Sequence, residues 1–227
     1  MSKFLPFLFL AAIAASQPRP VKIVLVGDST VNDEGGWGPG FRASFGTGVE
    51  VVNLALNGRS TNSFRTEGHW EPALAAKADY ILIQFGHNDV PGKGADRETD
   101  ARTTYRDNLT RYVDEARAAG ATPVLITSIV RRNFTADGKF QPDSLAPYAE
   151  AVRAVASAKK VALMDLYNLT MAQAEALGPA GCDEIDARDK DGKPDHTHLG
   201  PKGRETIGAI AARELTRVVP AMRGYLK

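Results

Sequence analysis

Between residues 21 and 166 the chain carries short runs in which apolar residues follow one another with hardly a break: VKIVLV (21–26), VEVVNLA (49–55), YILIQF (80–85), TPVLITSIV (122–130) and VALMDL (161–166). A strand with one face in water alternates apolar and polar residues, whereas a strand covered on both faces does not. The runs therefore predict five buried strands of a parallel sheet. Stretches with a helical period lie between and after them. In DARTTYRDNLTRYVDEARAAG (100–120), Tyr105, Leu109, Tyr112, Val113 and Ala116 share one face and Gly120 supplies a stop. SLAPYAEAVRAVASAKK (144–160) and PKGRETIGAIAARELTRVV (201–219) read the same way, the second with Pro201 where a first turn tolerates it. Strand and helix alternate, which predicts an α/β domain built as a three-layer sandwich. FTADGKF (134–140) sets Asp137-Gly138 between residues able to pair, the signal of a hairpin inserted after the fourth strand. The stretch from Gly178 to Gly200, rich in glycine, proline and charge, is expected to be a long ordered loop before the last helix.

The first residues change the picture of where the protein works. MSKFLPFLFLAAIAASQPRP has one Lys, an apolar run from Phe4 to Ala15 broken only by Pro6, and small residues up to Ser16. This is the pattern of a secretory signal peptide, and the run is too short for a spanning helix. Residues 1–16 are thus expected to be removed and residues 17–227 to form one secreted domain, periplasmic or extracellular, with no membrane association afterwards. A chain of 227 residues can bury an adequate core unaided, and Cys182, its single cysteine, rules out a disulfide framework. With 28 basic and 27 acidic residues the net charge is +1, so no global field points to nucleic acid or to an anionic membrane. A monomer without a cofactor is expected.

In an open parallel sheet, ligands bind beyond the carboxyl ends of the strands. There the sequence places Gly27-Asp28-Ser29, Leu56-Asn57-Gly58-Arg59-Ser60 and Gly86-His87-Asn88-Asp89, and before the last helix Asp195-His196-Thr197-His198-Leu199. A serine nucleophile needs a base within hydrogen-bond reach and a third group to orient that base. Asp195 and His198, three residues apart, can lie on one side of a turn, with Asp195 accepting from Nδ1 of His198 and Nε2 facing Ser29. A developing oxyanion needs donors fixed in advance, and the Ser29 N–H, the Gly58 N–H and the Asn88 amide are suitable types at suitable strand ends.

These blocks resemble the SGNH hydrolase superfamily: Ser29 in GDST, Gly58 in LALNGRS, Asn88 in QFGHND, and Asp195 with His198 in DHTH. The resemblance covers essentially the whole mature chain and implies a flavodoxin-like α/β/α sandwich with a five-stranded parallel sheet, and ester hydrolysis by a Ser-His-Asp mechanism. Within the superfamily, GDST, QFGHND, VRRNFTADGKF and DHTHLGPKG look like the rhamnogalacturonan acetylesterase type of carbohydrate esterase. That likeness implies removal of O-acetyl groups from plant cell-wall polysaccharide, pectic rhamnogalacturonan above all, with acetylated xylan or small acetyl esters as the alternative. A polysaccharide O-acetyltransferase and a silent carbohydrate-binding module are the remaining readings. The single cysteine departs from fungal members that carry disulfides.

Five further residues are candidate substrate contacts, each with a second reading. Asp28 either touches substrate or holds its turn, and His87 either touches substrate or packs its loop. Trp70 is a sugar platform or a packing aromatic. Arg131 and Arg132 are partners for galacturonate carboxylates or part of a solvated hairpin. His196 is the weaker candidate for the base. No metal is expected: CDEIDARDKDGKPD (182–195) has Ala187 where the first ligand of a calcium loop belongs and His198 where the closing Glu belongs. DHTH, for its part, has no second histidine cluster to complete a metal hydrolase site.

Overall fold

The computed structural model describes residues 19–227; the expected signal segment, residues 1–16, lies outside them. Five parallel strands, β1 (Val21–Gly27), β2 (Val49–Asn53), β3 (Tyr80–Gln84), β4 (Thr122–Ile126) and β5 (Ala162–Met164), form a sheet in the order β2-β1-β3-β4-β5. The unbroken apolar runs have a direct cause. Val24, Val26, Ile81, Ile83 and Leu125 enter one core, while Ile23, Leu25, Leu82, Val124 and Ile126 enter another. Successive strand side chains point to opposite faces, so a sheet clothed by helices on both sides needs an apolar residue at every position.

The first core is closed by α2 (Ser63–Thr66), α3 (Trp70–Ala75), α4 (Thr104–Ala118) and α5 (Ala146–Lys159). The second is closed by α1 (Gly38–Ala43), α7 (Pro201–Val218) and the 3-10 turn Pro220–Tyr225. The face expected for α4 is the buried one, from Tyr105 to Ala116. The helix itself starts at Thr104, later than residue 100, because the Asp100 carboxylate takes the N–H groups of Arg102 and Thr103 in a turn of its own. No helix among the described residues is long and apolar enough to cross a membrane.

Three departures from the sequence reading matter for the site. The fourth strand stops at Ile126, short of residue 130, because Thr127 and Ser128 turn their hydroxyls to Asp165 Oδ1 (2.9 Å) and Phe85 O (2.6 Å). The fifth stops at Met164 because Asp165 caps the next helix, its side chain accepting from the Asn168 N–H. The stretch 178–200 is not a loop. Helix α6 (Leu166–Ile185) is broken at Gly178 (φ 64°, ψ −178°) and resumes at Pro179, and the antiparallel pair β6 (Asp186–Arg188) and β7 (Pro194–Leu199) follows. Glycine and proline here interrupt a helix and restart it rather than end it, since proline suits a first turn. The inserted hairpin is present, with Phe134 bridging Phe140 in antiparallel pairing.

Candidate active site

At the carboxyl end of β1 the chain turns at once, the Val31 N–H donating to Asp28 O at 3.1 Å. The Asp28 carboxyl is fully buried and its Oδ1 accepts from Thr30 N (2.9 Å) and Thr30 Oγ1 (2.7 Å). Burial raises the pKa of this carboxyl against the opposing Thr30 bonds, and its Oδ2 has no hydrogen-bond partner. The Thr30 hydroxyl accepts from Gln84 Nε2 (2.8 Å), and Gln84 Oε1 accepts from Trp37 Nε1 (3.0 Å). Asp28 thus stands in the turn-holding place, at one end of a buried relay that runs through β3 to Trp37. The chain pattern signalled the turn but not Gln84 or Trp37.

Ser29, lifted by this turn, has its Oγ 2.8 Å from Nε2 of His198, whose Nδ1 is 2.7 Å from Asp195 Oδ2. A carboxylate only accepts, so the His198 proton sits on Nδ1 and Nε2 accepts from the serine hydroxyl. Burial works to raise the Asp195 carboxyl, but bonds from the His198 ring and backbone hold it below its ordinary pKa. Both residues lie on β7, where Asp195 Oδ1 also accepts from Thr197 N (3.1 Å) and His198 N (3.2 Å), so one side chain shapes the turn and orients the ring.

Asn88, beyond β3, donates from Nδ2 to Arg59 O at 3.1 Å; this fixes the amide plane and leaves its second N–H for another acceptor. Gly58 has φ +74°, a conformation that side chains disfavour, and its N–H and that of Ser29 have no acceptor among the described residues. Ser29, Gly58, Asn88 and His198 all line a cavity of about 440 Å³, with Glu34, Gly35 and Asn57 completing its wall. That wall is cross-linked: Asn32 Oδ1 accepts from Gly35 N (3.0 Å), Asn32 Nδ2 donates to Asn57 Oδ1 (2.7 Å), and Asn57 Nδ2 donates to Glu34 Oε2 (2.6 Å). VNDEGG, the segment that builds it, gave no sign of this role in the sequence reading.

The other candidates are placed differently. Nδ1 of His196 bonds Asp186 Oδ2 (2.9 Å), and among the described residues it is His198, not His196, that bonds Ser29. Arg132 is neither solvated nor open to substrate: it is buried, paired with Asp186, and donates to His198 O at 2.9 Å, while its N–H donates to His196 O at 2.8 Å. Arg131 pairs with Asp143 (3.1 Å) and donates to the His87 carbonyl (3.3 Å). Trp70 is 2% exposed, bonds Glu115 Oε2 at 2.7 Å and packs edge-on against Tyr112, so it is a core residue with no face for a sugar. His87 is buried with Nε2 donating to Ile129 O (3.0 Å), and burial pushes its pKa well down, so the ring is neutral. Its Nδ1 has no partner. Asp183, Asp186 and His196 bring ligand atoms within 4.8 Å of one another, but both Asp186 oxygens are already engaged by Arg132 and His196, which leaves a poor cation site.

Beside the oxyanion block, Asp89 is fully buried, its Oδ1 taking the Thr61 and Thr99 hydroxyls and the Thr61 N–H. Burial raises its pKa from 3.8 to about 7, with nearby Asp28 adding to the effect. The folded carboxyl thus keeps a proton that the unfolded chain gives up near pH 4, and stability falls as pH rises from about 4 through about 7. Asp89→Asn keeps the Oδ1 acceptor and abolishes the titration. Urea unfolding at about pH 5 and about pH 8 is expected to show a smaller loss for the variant than for wild type; equal losses would assign the pH dependence to other groups.

The chain matches the GDSL-like Lipase/Acylhydrolase family over residues 25–205. Rhamnogalacturonan acetylesterase RhgT of Bacillus subtilis (strain 168) is 34% identical over 226 residues, covering 92% of this chain and 95% of its own. Among solved structures, the Bacillus subtilis protein YXIM superposes with a TM-score of 0.76 at 25% identity over 92% of this chain, which spans 59% of that protein's length. A catalytic mutant of Axe2, an acetylxylan esterase from Geobacillus stearothermophilus, shares the fold with a TM-score of 0.65 at 18% identity, over 88% of this chain and 94% of that one.

Proposed function

From the premise that the chain belongs to the GDSL-like Lipase/Acylhydrolase family and is a carboxylic ester hydrolase, we propose that it removes O-acetyl groups from carbohydrate, with pectic rhamnogalacturonan as the substrate. The observation that carries this reading is the relay from Asp195 through His198 to Ser29, with contacts of 2.7 Å and 2.8 Å, at a cavity of about 440 Å³ with room for an acetyl group. Likeness to a rhamnogalacturonan acetylesterase at 34% identity supports the substrate class.

In this scheme Ser29 Oγ attacks the acetyl carbonyl carbon as His198 Nε2 takes the hydroxyl proton. The carbonyl oxygen becomes an oxyanion facing the Ser29 N–H, the Gly58 N–H and the Asn88 amide. Collapse of the tetrahedral intermediate breaks the bond to the sugar oxygen, which leaves with the proton from His198, and the acetyl group stays on Ser29. Water, deprotonated by His198, then attacks the acetyl carbon; the bond to Ser29 Oγ breaks, that oxygen takes the proton back from His198, and acetate departs. Asp195 stabilises the imidazolium without taking its proton. A single oxyanion donor of this kind is worth about 10² to 10³ in rate. The signal-like N-terminus supports action outside the cytoplasm, where such polymers are met, with the domain working as a monomer.

The test is acetate release from acetylated rhamnogalacturonan and acetylated xylan in parallel. Preference for the pectic polymer is expected; preference for xylan would keep the mechanism and overturn the substrate.

A further inference from the structure

Several arginines near the pocket are paired with carboxylates: Arg42 with Asp33, Arg59 with Glu67, Arg131 with Asp143 and Arg132 with Asp186. Arg97 is different. It is half-buried, and its Nη1 lies 3.7 Å from where a Cβ on Gly58 would stand, against one of the proposed oxyanion donors. Among the described residues no hydrogen bond or ion pair takes up its guanidinium, and nearby acids do not supply one. Glu98 turns its Oε1 to the N–H groups of Gly94 (2.7 Å) and Gly92 (2.9 Å) rather than to the Arg97 fork, and these bonds, Gly94 foremost, hold its pKa below the ordinary value, with the nearby Arg97 charge adding to the effect. Asp89 is enclosed by Thr61 and Thr99.

The segment that presents Arg97 is tied down. Its own N–H donates to Gly94 O (2.9 Å), Asn62 Nδ2 donates to Asp96 O (2.9 Å), and Thr99 N donates to Asp89 O (2.9 Å). A guanidinium beside Gly58 with no hydrogen-bonded protein anion has its planar fork of donors available to a ligand. That fork matches a carboxylate, with two parallel N–H bonds, and has no comparable partner on a neutral sugar.

We propose that Arg97 binds the carboxylate of a uronic-acid unit of the acetylated polysaccharide, and so selects acidic over neutral polysaccharide. This rests on the pectic reading above and moves the carboxylate contact from Arg131 and Arg132, which are engaged within the protein, to a residue beside Gly58. Arg97 acts on selectivity, not on bond making.

The experiment compares wild type, Arg97→Gln and Arg97→Lys on acetylated rhamnogalacturonan oligosaccharides and on neutral acetylated xylooligosaccharides. The ratio of kcat/KM for the charged over the neutral substrate is expected to fall about tenfold in Arg97→Gln, mainly through KM, and to recover in part in Arg97→Lys. An unchanged ratio, in an enzyme that deacetylates the charged oligosaccharides, overturns the carboxylate contact and leaves the pectic reading standing. A fall by the same factor on both substrates also overturns it and makes Arg97 an electrostatic support of the oxyanion. A wild type that releases acetate only from the xylooligosaccharides overturns the pectic reading, and the contact with it.

Discussion

Ser29→Ala is expected to lower kcat for acetate release by on the order of 10⁴-fold or more while the melting temperature stays near that of wild type. The two halves of this expectation have separate causes. Among the described residues the one side-chain hydrogen bond of Ser29 is to His198 at 2.8 Å, so no buried group there loses a structural partner when the hydroxyl goes. Chemically, however, the atom that attacks the ester is removed, and His198 is left with no nucleophile to activate. What survives is the set of oxyanion donors and the pocket, which can at best help a water molecule. Initial rates of acetate release, beside a thermal melt of the same preparation, check both halves. Activity within tenfold of wild type would exclude the serine mechanism altogether.

Arg132→Ala is expected to have the largest effect on stability, a loss of about 3 to 5 kcal/mol, because it leaves the buried Asp186 carboxylate without its cation. For a chain of this size that corresponds to a fall in melting temperature of roughly 10 °C. Activity suffers as well. Arg132 ties down two carbonyls of the catalytic strand, His196 O through its N–H and His198 O through its guanidinium, and an ångström of drift there costs up to about 10² in kcat. The double variant Arg132→Met with Asp186→Leu removes both charges and is expected to regain much of the stability lost in the single one. A single variant that melts with wild type would show that the pair contributes little.

The strands and the Asp195–His198 pairing were legible because each depends on local pattern, whereas the meeting of that pair with Ser29 was expected from the resemblance of the strand-end blocks. An apolar run with a core on both sides looks the same from sequence as from structure, and Asp195 needs only a three-residue turn to reach His198. What escaped depends on partners far away in the chain. Arg132 reads as a solvated hairpin cation until Asp186, 54 residues later, is seen against it. Arg131 meets Asp143, and Trp70 meets Glu115 across the α3–α4 contact. The stretch after Gly178 misled for a different reason: glycine and proline are loop formers by propensity, but α6 packs Tyr167, Ala174 and Cys182 into a core, and that burial outweighs one break.

The proposed nucleophile and its proposed base come from opposite ends of the chain, 169 residues apart. Every strand of the main sheet is complete by Met164, and nothing up to that point provides the His198 base. Until the segment after Met164 docks, Ser29 stands without the His198 contact and the face of the sheet that α7 covers is open. In the proposed mechanism, turnover needs β7 settled against the wall of the pocket, with the Leu199 N–H on Gly35 O at 2.8 Å, and α7 packed on α1. On that mechanism, local opening that frees β7 is expected to switch turnover off before the sheet has lost a strand.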